Sequence, residues 1–329
     1  ARPALGAPPL ALGGVPSDAP RRGWRRRLQA GADPVRWDPS APVWTDEDLE
    51  DAEVASGSLS RGGERASGPR RGGTLVRFSS ARALQVEPAP GRHTHTLVYL
   101  HAFGRCGAEY VPPLLDRLSP GFPCPWVRGC EHAPGLRVVL PTARKLNLPW
   151  GPVETSWHNY AKAESNAVGD ADALEETRAR IGLILREEVA RLGGAGGRVF
   201  LGGLSQGCTA ALDVYLREAR VLGLGGFIGG VGFMPSDAMG FDGASAALER
   251  LAADEVQAAR PVRVTCATDD QWVPWDGLAK PSYRGARRKL PGFALRTVSG
   301  RGHVIDDWEG HELVRFVRAH AADACEPRA

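Results

Sequence analysis

The stretch Val199-Phe200-Leu201-Gly202-Gly203-Leu204-Ser205-Gln206-Gly207-Cys208 joins an apolar run to a helix-compatible segment through a serine flanked by glycines. The run Val199 to Leu201 reads as a strand and Cys208 to Arg217 as a helix, so Ser205 falls in a tight strand-to-helix turn. In a turn that sharp the neighbouring backbone closes without a Cβ clash only where glycine stands, which accounts for Gly203 and Gly207. Ser205 is therefore the candidate nucleophile. In a chain with 41 glycines the spacing alone is a modest signal, and its weight comes from two segments nearer the carboxyl terminus.

Downstream, Val262 to Ala267 reads as a strand running into Thr268-Asp269-Asp270-Gln271-Trp272-Val273-Pro274, with Asp270 at its carboxyl end and Asp269 as the adjacent competitor. Phe293 to Val298 makes another strand, ending in Ser299-Gly300-Arg301-Gly302-His303. Taken singly, Asp270 could be a turn aspartate and His303 a capping or surface histidine. Together they come after the serine in the order Ser, Asp, His, each just past a strand. A histidine so placed takes the serine proton while a buried aspartate fixes its tautomer. Upstream, the apolar strand Thr96 to Leu100 ends in His101-Ala102-Phe103-Gly104, and the backbone N–H groups of Phe103 and Gln206 are the candidate oxyanion donors.

These segments, with Thr155-Ser156-Trp157, give the chain a resemblance to the phospholipase/carboxylesterase family, which includes acyl-protein thioesterases and lysophospholipases. The resemblance covers roughly residues 95 to 318. It implies an α/β-hydrolase fold, a mostly parallel central sheet with helices on both faces. It also implies Ser205 as nucleophile, Asp270 rather than Asp269 as the acid, and His303 as the base. The expected activity is that of a serine esterase or thioesterase acting on a small-molecule or acylated substrate through an acyl-serine, with no metal and no organic cofactor. Trp157 and Trp272 are candidate walls of an acyl pocket, ordinary core tryptophans being the alternative. The chain departs from the family at Ala102, where a glycine is usual, at Arg105 in place of an aspartate, and at Cys208 in place of a glycine. The altered loop leaves open a non-catalytic ligand-binding protein, and the fold leaves open a serine peptidase.

The remaining sequence bounds the organisation. Residues 1 to 72 are rich in Pro, Gly, Ala, Ser and Arg without apolar periodicity and read as a loosely packed or disordered arm. Residues 73 to 322 read as the catalytic domain and 323 to 329 as a tail. The segment Arg21 to Leu28 is read as a solvated basic arm in preference to an organelle transit segment, and a cytoplasmic protein is expected. Strands are predicted near 74–78, 96–101, 136–140, 198–202, 226–231, 262–267 and 293–298. The helix through Leu174, Thr177, Ile181, Ile184, Leu185 and Val189 should stop at Gly193-Gly194. Asp306 and Asp307 read as first-turn residues of a last helix.

A net charge of +3 with scattered basic residues argues against a nucleic-acid partner. The apolar stretch Val221 to Met234 is glycine-broken and too short for a transmembrane segment. Of six cysteines, Cys208 and Cys266 fall in core elements as reduced thiols, and a disulfide between Cys124 and Cys130 is the less favoured reading. His93, His95 and His101 share one strand parity, but a polar strand entrance and a loop start explain them better than metal ligation does. The oligomeric state is open, a homodimer among the possibilities.

Overall fold

The computed structural model describes residues 76–78, 83–86, 88, 93–107, 135–151, 153–163, 165–300, 302–303, 316 and 319–320. The arm, the tail, Cys124, Cys130, Asp306 and Asp307 lie outside the described residues.

Eight strands form one sheet: β1 (Val76–Phe78), β2 (Ala83–Val86), β3 (His95–Leu100), β4 (Leu136–Pro141), β7 (Val199–Leu204), β8 (Gly226–Gly230), β9 (Val262–Ala267) and β10 (Phe293–Val298). Their order is β1-β2-β4-β3-β7-β8-β9-β10. The six strands from β4 to β10 in that order pair in parallel, and β1 and β2 add antiparallel at one edge. β3, β4, β7 and β8 are buried along their whole lengths, so they read in the sequence as largely apolar runs rather than alternating ones, with His95, Thr96 and Arg137 as buried polar exceptions. A two-stranded hairpin of β5 (Lys145–Asn147) and β6 (Val153–Thr155) stands apart from the main sheet.

The helix α1 (Ala171–Arg191) starts at Asp170, whose carboxylate accepts the Ala173 N–H at 3.0 Å. That cap satisfies one of the four N–H groups that a helix start leaves without an internal partner. The helix ends at Leu192, and Gly193 and Gly194 come next with φ of +66° and +86°, the left-handed backbone expected of a glycine stop. Its buried stripe, Leu174, Thr177, Ile181, Ile184 and Leu185, matches the predicted spacing. The second helix, α2 (Gln206–Leu222), begins directly after the elbow and runs further at both ends than the predicted segment. It is buried on nearly every side, packed between the sheet, α1 and α3 (Ala244–Ala252).

Val199 and Leu201 of β7 belong to the cluster beneath these helices, together with Ile181, Leu185, Leu212 and Tyr215. Phe200 has the opposite parity and meets the Phe316 ring edge-on at 5.7 Å. Both faces of the sheet are thus covered. The carboxyl ends of β3, β7, β9 and β10 lie at one end of the sheet, Leu100 pairing with Gly203 and Val298 with Ala267, with β8 between β7 and β9. The loops after these strands carry the candidate site, as in open parallel sheets generally.

Candidate active site

The elbow owes its shape to its glycines. A Cβ on Gly203 would lie 2.5 Å from the Gly207 carbonyl oxygen, and one on Gly207 would overlap the carbonyl oxygens of Leu100 and His101. With hydrogens there, α2 closes tightly on the ends of β7 and β3. Ser205 is held at φ +54°, ψ −121°, a conformation that costs a non-glycine residue about 1–3 kcal/mol and persists only where its surroundings impose it. The turn lifts the hydroxyl clear of the sheet, and Ser205 is part-exposed while Gln206 to Ala210 are buried.

Ser205, Asp270 and His303 come together. His303 Nε2 lies 2.7 Å from Ser205 Oγ, and His303 Nδ1 lies 2.6 Å from Asp270 Oδ2. Asp270 is 6% exposed, and its other oxygen, Oδ1, accepts the N–H groups of Trp272 and Val273, both at 2.8 Å. These two bonds orient the carboxylate so that Oδ2 faces the imidazole. The carboxylate takes the Nδ1 hydrogen, which leaves the Nε2 lone pair toward the serine hydroxyl. Asp269 is exposed and its Oδ2 accepts the Gly302 N–H at 3.1 Å, so the competing aspartate pins the histidine loop instead of touching the ring.

The loop after β3 is built around His101. The ring is 1% exposed, and its Nε2 accepts the Ala143 N–H at 2.9 Å, which places the ring hydrogen on Nδ1, 2.7 Å from the Ala102 carbonyl oxygen. Burial, aided by the nearby Arg180 and Arg105 charges and opposed by the bond to Ala102, lowers its pKa to about 4, so the ring is neutral. Ala102 to Arg105 form a turn closed by Arg105 N–H to the Ala102 oxygen at 3.2 Å, with Gly104 at φ +69°, the third position where a type II turn requires glycine. Ala102 is not among the residues with positive φ, so alanine fits there without backbone strain. Phe103 N–H belongs to this turn. Gln206 N–H is in the first turn of α2, where a backbone donor has no helical acceptor and the helix dipole favours negative charge.

Several contacts around these donors were not legible in the sequence. The segment from Thr155 to Tyr160 straps the β3 loop to the elbow. On the loop side, Gly104 N–H donates to the Thr155 oxygen at 2.9 Å, Thr155 Oγ1 to the Arg105 oxygen at 2.6 Å, and Trp157 Nε1 to the His101 oxygen at 2.7 Å. On the elbow side, the Gln206 side chain accepts the Trp157 N–H at 3.0 Å and donates to the His158 oxygen at 2.8 Å and to Ser156 Oγ at 3.0 Å. The expectation that Trp157 lines an acyl pocket is corrected here. It is 1% exposed, and its indole is committed to the His101 carbonyl and packed 4.8 Å from the His101 ring, so it braces the loop from behind. Trp272 is half-buried beside Asp270 and keeps a surface toward solvent.

Cys208, Cys266 and Cys106 are buried and reduced. Among the described residues, no group of three His, Cys, Asp or Glu side chains could hold a metal ion, and no helix is long and apolar enough to cross a membrane.

No protein-family model matches the chain. Acyl-protein thioesterase 1 of Yarrowia lipolytica is 28% identical over 152 residues, and the match takes in 45% of this chain and 61% of that protein. The chain thus aligns with about three-fifths of the length of this curated relative. Among solved structures, acyl-protein thioesterase 2 of Zea mays superposes with a TM-score of 0.57 at 20% identity, covering 73% of this chain and 99% of that one. Esterase PE8 superposes with a TM-score of 0.53 at 20% identity, covering 71% and 96%. The fold is that of the α/β hydrolases, and within it the chain resembles the phospholipase/carboxylesterase family.

Proposed function

We propose that this protein is a serine hydrolase cleaving carboxylic esters or thioesters, with Ser205 as nucleophile, His303 as general base and acid, and Asp270 as the group that orients and stabilises the imidazolium. The observation that carries the reading is the relay of 2.7 Å from Ser205 Oγ to His303 Nε2 and 2.6 Å from His303 Nδ1 to Asp270 Oδ2, set on a strained elbow.

Attack of Oγ on the acyl carbon passes the serine proton to Nε2 and puts negative charge on the carbonyl oxygen, which the backbone N–H groups of Phe103 and Gln206 receive. Collapse of this adduct expels the alcohol or thiol, which takes the proton from Nε2 and leaves an acyl-serine. Water repeats the sequence and releases the acid. The names of the relatives, acyl-protein thioesterase and esterase, support an ester or thioester substrate, and the half-buried Trp272 beside Asp270 is the candidate wall for its acyl part. Residues 73 to 322 would be the catalytic unit, with the arm dispensable for turnover.

A fluorophosphonate probe tests this directly. The wild-type chain should be labelled once, at Ser205, and hydrolyse aryl esters, and Ser205→Ala should lose both. Undiminished labelling of Ser205→Ala would assign the chemistry to another nucleophile and sink the proposal.

A further inference from the structure

The two candidate oxyanion donors sit on different elements, Phe103 on the loop after β3 and Gln206 at the start of α2. Both must face one oxygen, and a hydrogen bond weakens steeply with misalignment, so the spacing between the two N–H groups matters as much as their presence. Trp157 bonds to both sides. Its indole Nε1–H donates to the His101 oxygen at 2.7 Å, two residues before Phe103, and its backbone N–H donates to Gln206 Oε1 at 3.0 Å. Its own carbonyl accepts the Thr177 hydroxyl at 2.6 Å, which anchors the residue to α1.

All three polar groups of Trp157 are thus engaged, each in a buried bond. An indole carries one donor, at the far edge of a rigid bicyclic ring with two side-chain torsions, so its length sets how far the His101 carbonyl stands from the Trp157 backbone. The ring packs 4.8 Å from the His101 imidazole and is 1% exposed, so solvent cannot take over the donor's place. Neighbouring residues hold the two ends of this span. Thr155 bonds to Gly104 and Arg105, so the Phe103 peptide lies between one tether at His101 and another just beyond it. Ser156 Oγ, 3.0 Å from Gln206 Nε2 and 3.2 Å from Oε1, and the His158 oxygen at 2.8 Å hold the Gln206 carboxamide that Trp157 grips.

We propose that Trp157 is a positioning residue of the oxyanion site, holding the Phe103 loop through its indole N–H and the first residue of α2 through its backbone N–H, so that the two donors keep the spacing the transition state needs. The inference rests on the hydrolase reading above. Buried behind the loop, Trp157 acts on substrate only through the two N–H groups, so its loss should weaken transition-state binding and spare ground-state binding.

The test compares Trp157→Phe, which deletes the indole N–H and shortens the ring, with replacement of Trp157 by 3-benzothienylalanine, a sulfur isostere that keeps the bicyclic ring and lacks the N–H. Aryl-ester kinetics are measured per active site titrated with fluorophosphonate, so that loss of folded protein does not enter. Two inhibitors separate the states: an alkylboronic acid that forms a tetrahedral serine adduct, and the ether analogue of the ester, which has no carbonyl oxygen for the donors to meet. The isostere should lower kcat/KM about five- to tenfold, the worth of one hydrogen bond, with boronate binding weakened in the same proportion and ether binding unchanged. Trp157→Phe should lower kcat/KM further, toward the hundredfold associated with a lost oxyanion donor; should it fail to fold, the isostere decides. Wild-type kcat/KM and boronate binding in the isostere overturn the proposal, and so does an equal weakening of boronate and ether, which would make Trp157 part of the substrate wall. If the wild-type protein neither labels nor turns over ester, the hydrolase reading itself has failed and the positioning role falls with it.

Discussion

Lowering the pH should destabilise this fold, because His95, His101 and His158 are buried in neutral form. All three have pKa values lowered to about 4 from an ordinary 6.5, with burial the largest cause in each. His101 Nε2 accepts the Ala143 N–H, and the His158 ring is enclosed by Tyr160 and Phe241. Neither ring can take a proton without losing a bond or placing a charge among aromatic edges. The unfolded chain binds protons at these rings from about pH 6.5 downward, whereas the folded chain binds them only near pH 4. Over that interval the unfolded state holds more protons, so the free energy of unfolding rises with pH and is lost as pH falls. Between about pH 7 and pH 5 the His101 and His158 rings each contribute a loss of about 2 kcal/mol, and His95 adds to it.

Urea unfolding followed by circular dichroism at the two pH values measures this directly. His101→Gln and His158→Phe should each remove about 2 kcal/mol of the drop. A double variant that keeps the full drop, or a wild-type protein equally stable at both pH values, would refute the assignment of buried neutral imidazoles.

Three further outcomes are expected. Asp270→Asn keeps an acceptor for Trp272 and Val273 but presents an N–H to His303, and should lower kcat by roughly 10³- to 10⁴-fold, whereas Asp269→Asn, which alters the Gly302 contact, should cost less than about tenfold; the opposite ranking in aryl-ester assays would move the acid to Asp269. Gly207→Ala drives a methyl into the Leu100 and His101 carbonyls and should destabilise by at least about 1–3 kcal/mol while slowing fluorophosphonate labelling, and a variant of wild-type stability would show that the elbow has room to relax. Lengthening the acyl group from acetyl to hexanoyl should raise kcat/KM, by at most ~200-fold if each methylene is fully buried at about 0.8 kcal/mol, and a steady fall beyond acetyl would indicate a short closed pocket.

The parallel sheet was legible because buried strands such as Val199–Leu204 are apolar runs with polar or glycine breaks after them, and Val262–Ala267 is β-branched and apolar apart from Arg263 and Thr265. The antiparallel strand Ala83–Val86 and the hairpin Lys145–Asn147 with Val153–Thr155 escaped, being three or four residues long and defined by their pairing partners rather than by any period of their own. Order along the chain and position after a strand sufficed to nominate Ser205, Asp270 and His303 for one site. The sense in which Trp157 points was not recoverable, because it depends on a hydrogen bond to a residue 56 positions away. The same holds for the Gln206 side chain, whose partners lie 48 to 50 positions upstream.

The thiol three residues beyond Ser205 carries an evolutionary consequence. Cys208 is fully buried, and its sulfur lies where a Cβ on Gly229 would be 2.5 Å away and one on Gly232 would be 2.7 Å away. The three positions therefore share one fixed volume. Enlarging 229 or 232 first crowds the sulfur, and shrinking 208 first opens a void behind the elbow, so each single step is unfavourable although a paired exchange need not be. Substitutions at these sites are expected to be strongly epistatic. A library randomised at all three positions together should yield folded combinations that no sequence of single replacements would reach.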